Sequence, residues 1–200
     1  MKVLLASGNR GKLAELRELF QGTGIELLLP ADAGIAVPQA EENGASYAEN
    51  ALIKATSLIK ASGMPALADD SGLEVDSLDG APGIHSARFS GPNAADGDNN
   101  RKLLSELGGN PVRSARFRCV LVLANPDGSS FSAEGLLEGE IGKEPRGTNG
   151  FGYDPVFRLP DGRHVAELHP REKASISHRA RAAKTLAEIL RKSGTIRPAV

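Results

Sequence analysis

Residues 65–91 read PALADDSGLEVDSLDGAPGIHSARFSG, and the first six letters decide how the chain is to be folded. Ala66, Leu67 and Ala68 form a short apolar run behind a breaker, Pro65, which predicts the last turns of a buried strand rather than a helix. Asp69 and Asp70 then fall at its carboxyl end, the end at which open α/β sheets bind ligands. Neighbouring side chains on a strand point to opposite faces, so one aspartate should face a crevice and the other be tied into the scaffold. Gly72, Gly80, Gly83 and Gly91, with Pro82 among them, predict an ordered, repeatedly turning segment after Ser71 instead of a regular element. The plain alternative is an acidic surface turn, because paired aspartates are common there.

Toward the amino terminus, Val3 to Ala6 is a compact apolar strand. The turn Ser7-Gly8-Asn9-Arg10-Gly11-Lys12 leads into a helical pattern at Leu13, Leu16, Leu19 and Phe20. A strand, a glycine loop and a helix together present backbone N–H groups and a helix amino terminus, a physical means of holding phosphate, and Lys12 adds a mobile cation. The loop is not a Walker motif: two residues separate Gly8 from Gly11, and Leu13 follows the lysine where Ser or Thr is required. Ile25 to Leu29 is a second strand stopped by Pro30. Pro38 to Gly44 is a polar loop carrying Glu41 and Glu42. Ser46 and Glu49 have capping-box spacing ahead of a helix whose stripe is Ala48, Ala51, Leu52, Ala55, Leu58 and Ile59, ended by Gly63. Lys54 and Lys60 lie off that stripe; each reads as a solvated side chain, with a cleft-facing Lys54 as the alternative.

Toward the carboxyl terminus, Asn99 to Leu107 is a short amphipathic helix. Ala115 to Ala124 and Ser130 to Leu137 make a hairpin around Asn125-Pro126-Asp127-Gly128. Phe151 to Phe157 is predicted as a strand or sheet edge halted by Pro160-Asp161-Gly162. One helix is predicted from about Ser175 to Lys192, with Ala183, Leu186, Ala187 and Leu190 inward.

The chain's 200 residues, 40% of them hydrophobic, suffice for one sizeable core and a single folded unit over 1–200. A net charge of -1, from 24 basic and 25 acidic residues, argues against a nucleic-acid-coating protein, which carries a basic excess. The one cysteine, Cys119, lies within CVLVLA and reads as a buried structural thiol. No apolar run reaches membrane-spanning length, and the opening MKVLLASGNRGK has too short a core for a signal peptide, so a cytoplasmic location is expected.

The polar groups that remain are the glycine loop with Lys12, the acids Glu41, Glu42, Asp69 and Asp70, and the basic set Lys173, His178 and Arg179. Carboxylates without Cys or a His pair suit Mg²⁺, which is held by one or two acids plus phosphate oxygens and water. Together they describe phosphoryl or nucleotidyl chemistry. A phosphomonoesterase with an aspartate nucleophile is disfavoured, because adjacent aspartates on a strand do not face one cleft. A nucleotide- or RNA-binding module without turnover is disfavoured by sparse cations and aromatics. Taken alone, His178 reads as a cap or surface residue, Arg179 as one cation on an exposed helix face, and Phe151 and Tyr153 as core or edge.

Five segments, ASGNRGKLAEL, EENGASYAENALIKA, ALADDSGLEVDSLDGAPGIHSARFSG, GTNGFGYDPVF and EKASISHRARA, occur in this order over almost the whole chain. In them the chain resembles the inosine triphosphate pyrophosphatase family, which hydrolyses ITP, dITP and XTP to monophosphate and pyrophosphate. The resemblance implies an α/β fold, an elongated mixed β-sheet flanked by helices with two lobes around a central cleft, and a homodimer. It implies that Ser7, Gly8, Asn9, Arg10, Gly11 and Lys12 hold the triphosphate, that Asp70 is the general base or metal-bound acid, and that Ser71 touches substrate. Glu42, chosen over Glu41 for its spacing from Asp70, would help bind Mg²⁺. Phe151, Gly152, Tyr153, Asp154, Lys173, His178 and Arg179 would contact the nucleotide, chiefly its base. Ser7 stands where many members have Thr, and both supply a hydroxyl.

Overall fold

The computed structural model describes residues 1–7, 10–36, 38 and 40–196. Among the described residues, six strands form one mixed sheet in the order β2-β1-β3-β4-β5-β6, flanked by five α-helices and short 3-10 turns. β1 (Lys2–Leu5) pairs in parallel with β2 (Glu26–Leu28) and with β3 (Ala66–Val75). β4 (Ser114–Ala124) and β5 (Ser130–Ile141) are neighbours joined at the expected turn, where Asn125 N–H donates to Ser129 O at 2.9 Å. β5 pairs antiparallel with the two-residue β6 (Phe157–Arg158). An α/β fold with a mixed sheet is therefore observed, as the family resemblance implies.

The chain divides into two compact units. The first comprises Met1–Asp70, Cys119–Gly135 and Arg179–Val200, and the second Ser71–Arg118 and Leu136–His178. In the first, α1 (Arg10–Leu19), α2 (Tyr47–Ser62) and α5 (His178–Lys192) supply the helices. Its core joins Val3, Leu5, Leu16, Leu67, Leu121, Leu186 and Leu190. The second unit contains α3 (Asp96–Leu107) and α4 (Pro170–Ile176) around Leu73, Val75, Leu103, Phe117, Tyr153 and Phe157. Cys119 is wholly buried and its thiol pushed up by that burial, in keeping with a structural residue.

Three sequence expectations need correction. β3 does not end at the aspartates but runs on through Ser71 and Gly72 to Val75, with Leu73 and Val75 fully buried. Carboxylates are depleted in strands, which makes Asp69 look like a terminus; here bonded partners compensate their burial and the apolar residues beyond carry the strand onward. Phe151 to Val156 is a series of turns and not a strand. Gly150 and Gly152 have φ of +81° and +62°, a region glycine enters freely, and the Asp154 carboxylate accepts the Phe151 N–H at 2.8 Å. The C-terminal helix stands as α5 but starts at His178 and not near Ser175: Ser177, at ψ 153°, is extended and separates it from α4, a helix the sequence does not predict.

Ser46 caps α2 as its spacing predicts, with the return bond of the box reaching one residue further back, to Ala45. Glu49 N–H donates to Ser46 Oγ at 3.2 Å, and the Glu49 carboxylate accepts from Ala45 N–H. Gly63 closes the helix with φ +67°.

Candidate active site

In the first unit the two aspartates go to different partners, as alternation along a strand requires. Lys12, from the first turn of α1, donates to Asp69 Oδ1 at 2.8 Å. Lys54, from the middle of α2, donates to Asp70 Oδ1 at 2.7 Å. Asp69 also receives Arg179 Nε and Nη2 on Oδ2, at 3.1 and 3.0 Å, while Arg179 Nη1 donates to Glu15 at 2.8 Å. Asp70 Oδ2 faces Asn50 Nδ2 at 3.5 Å, and Glu42 lies 3.7 Å from the Lys54 ammonium.

These environments give adjacent, identical side chains opposite tendencies. Burial would raise Asp69, but Lys12 and Arg179 outweigh it and hold the carboxyl well below its usual range. For Asp70 burial wins: Lys54 opposes it, Glu42 adds to it, and the carboxyl is shifted upward. Asp69 is a fixed anion, whereas Asp70 has the greater proton affinity that a general base requires.

A cavity of about 310 Å³ is lined by Ser7, Lys12, Glu42, Lys54 and Asp69, with Ala6, Pro38, Ala40 and Leu58. Of the predicted phosphate loop, Ser7 and Lys12 line it; Arg10 and Gly11 open α1 and are exposed; Gly8 and Asn9 lie outside the described residues. Glu42 and Asp70 converge on one ammonium, that of Lys54. Among the described residues no group of three or more His, Cys, Asp or Glu is placed to hold a metal; two neighbouring carboxylates are the donor set that Mg²⁺ takes when phosphate oxygens and water complete its shell.

In the second unit, Lys173 Nζ donates to Asp154 Oδ2 at 2.5 Å and lies 4.4 Å from the centre of the Phe151 ring. Phe151 is 52% exposed. Gly152 is held from α3, its N–H by Asp96 and its carbonyl by Asn100. Tyr153 is instead a core residue whose hydroxyl donates to Ser86 O at 2.8 Å, so Phe151 is the exposed ring of the pair. His178 is buried and stacks on Phe117 with centroids 5.0 Å apart. Ser71 follows Asp70 on β3 and is half-buried.

Asn50 and Glu15 join the site without standing out in the sequence, and Lys54 takes the cleft-facing alternative. Asn50 is wholly buried in α2 and accepts Gly44 N–H at 2.9 Å. A buried helical asparagine one turn before a lysine was the available signal, since Asn is a poor helix former and residues four apart share a face. Glu15 had none, because its partner Arg179 is remote in sequence.

The Ham1 family model matches residues 3–189. A dITP/XTP pyrophosphatase from Methylococcus capsulatus is 51% identical over 195 residues, covering 95% of this chain and 96% of that protein. One from Escherichia coli O157:H7 is 48% identical over 95% of this chain and 98% of its own. The solved structure of a HAM1 protein from Coxiella burnetii superposes with a TM-score of 0.88 at 43% identity, covering 96% of this chain and 99% of that one. The Ham1 protein of Staphylococcus aureus gives 0.87 at 36%, covering 96% and 100%. With the five motifs in order, the mixed sheet and the paired aspartates of β3 in place, this chain belongs to the Ham1 family.

Proposed function

We propose that the protein is a nucleoside triphosphate pyrophosphatase that hydrolyses dITP, ITP and XTP to the monophosphate and pyrophosphate. The observation that carries this reading is the Asp70–Lys54–Glu42 group beside the cavity shared with Ser7 and Lys12; the names of the relatives point the same way. Asp70 takes a proton from the attacking water. Lys54 sits where negative charge builds up, and Lys12 and Ser7 hold the phosphate chain. Mg²⁺ would be held by Glu42 and Asp70 and would supply charge neutralisation on the phosphates. Water attacks the α-phosphorus, making pyrophosphate the leaving group.

Base choice falls to Phe151 and Lys173. Inosine and xanthine carry an O6 acceptor where adenine carries an N6 donor, so a cationic donor at that position bonds a 6-oxo purine and opposes adenine. Sites built on such a bond reject its lack by as much as about 10⁴ to 10⁵. Asp154 holds the lysine in place. Arg179, directed at Asp69 and Glu15, supports the site electrostatically. By family resemblance the enzyme acts as a cytoplasmic homodimer, which light scattering at micromolar concentration checks for assembly. Among the described residues no helix is long and apolar enough to cross a membrane.

The deciding experiment is a panel of ITP, dITP, XTP, GTP and ATP with Mg²⁺, assayed separately for pyrophosphate and orthophosphate in ¹⁸O-water. Pyrophosphate release with label in the monophosphate is expected. Equal rates on ATP and ITP, or label in pyrophosphate, overturn the assignment.

A further inference from the structure

We propose that Asp69 is a positioning residue for the triphosphate: it parks Lys12 in the nucleotide-free protein and releases it to substrate phosphate, while Arg179 keeps the vacated carboxylate neutralised. The proposal rests on the pyrophosphatase reading above and adds to it a role for the aspartate that the chemistry does not use.

The two cations on Asp69 differ in every respect that bears on exchange. The Arg179 side chain is 2% exposed, directs two N–H groups to Oδ2, and is held from the far side by Glu15. A planar guanidinium fixed this way is a permanent counter-ion. The Lys12 side chain is 23% exposed, reaches the other oxygen, Oδ1, and lines the cavity with Ser7, Glu42 and Lys54. A compact ammonium on a flexible four-carbon stem can swing between acceptors. A buried carboxylate stripped of every cation bears a heavy desolvation penalty. Here Lys12 can leave because Arg179 stays, and the row Lys12, Asp69, Arg179, Glu15 alternates in sign, so its interior remains compensated. A phosphate chain bears more negative charge than one carboxylate and accepts through several oxygens, so it outcompetes Asp69 for the lysine. The resting pair also spares the cavity an unpaired cation between turnovers.

The test measures inorganic pyrophosphate affinity by calorimetry for the full chain, in wild type, Asp69→Asn, Lys12→Met and the double variant. Removing the competing carboxylate should tighten pyrophosphate about five- to tenfold, toward the low end of usual coupling between sites, and Lys12→Met should abolish that gain. A purely structural Asp69 would weaken binding in both backgrounds; that outcome, or an equal change with and without Lys12, overturns the proposal. Should Asp69→Asn fail to fold, the Asp69 ¹³Cγ resonance of the wild type serves instead, assigned through the backbone. It should move as pyrophosphate saturates the wild type and stay still in saturated Lys12→Met; a stationary signal in the wild type overturns the exchange. ITP turnover is followed in parallel. Hydrolysis with a stationary Asp69 signal defeats this proposal alone, whereas failure to hydrolyse any nucleoside triphosphate defeats the enzymatic reading itself.

Discussion

Around the middle of β3, the first unit gathers four acids, Glu15, Glu42, Asp69 and Asp70, with three cations, Lys12, Lys54 and Arg179. The second unit offers the aspartate and half-exposed ring of its turned segment 151–154, Asp154 and Phe151, with Lys173 of α4 set against both. Dense, alternating, buried charge suits the handling of phosphates and protons, where burial strengthens each Coulomb interaction. A single cation on an aromatic face suits selection of a flat, uncharged base. In the proposed enzyme, then, damage to the first group should cost rate or stability, and damage to the second should cost discrimination.

The largest expected effect tests the charged group. Asp70→Asn keeps shape but takes no proton, and loss of a general base lowers kcat by about 10² to 10⁴ with nucleotide binding still measurable. A near-normal kcat removes Asp70 from the chemistry and leaves the two regions undistinguished.

Next comes Arg179→Ala. It strips a buried guanidinium from Asp69 and Glu15, and breaking such a pair costs ~3–5 kcal/mol, to be read from urea unfolding. Unchanged stability with an altered ITP to ATP preference would move Arg179 to the selecting group, where the family resemblance puts it. The Asp69 carboxyl is depressed in the folded protein. Its stabilisation is therefore present above the unfolded value near 3.8 and is lost as pH falls toward the folded one, so unfolding titrations should show stability declining below about pH 4.

Phe151→Ala should weaken ITP binding by ~1–3 kcal/mol, the usual worth of a base on an aromatic face, with kcat affected less. Lys173→Ala should lower kcat/KM mainly for the 6-oxo purines. If both variants depress ITP and ATP alike, the second region is scaffold.

The smallest effect concerns pH. Lys54 lowers the Asp70 carboxyl against the pull of burial, so Lys54→Met raises it further. Because the base must be ionised to act, the acid limb of kcat against pH should move upward. A limb that stays put or moves downward would remove Lys54 as the cation that favours the ionised Asp70.

By itself the sequence determined the elements with local causes: the Ser46 cap and Gly63 stop of α2, the Asp127-Gly128 turn, the inward stripe of α5, and the aspartate pair as the place to look for chemistry. Each depends on residues a few positions apart, interacting through backbone geometry that composition and spacing encode. Tertiary structure alone decided that β3 continues through two carboxylates, that 151–156 turns, and that a break at Ser177 separates α4 from α5. It also decided which lysine serves which aspartate. Lys12 lies 57 residues before Asp69, and Arg179 110 after it. A buried charge is tolerated only where its counter-ion arrives, and that arrival is set by packing between distant segments, which no local pattern records.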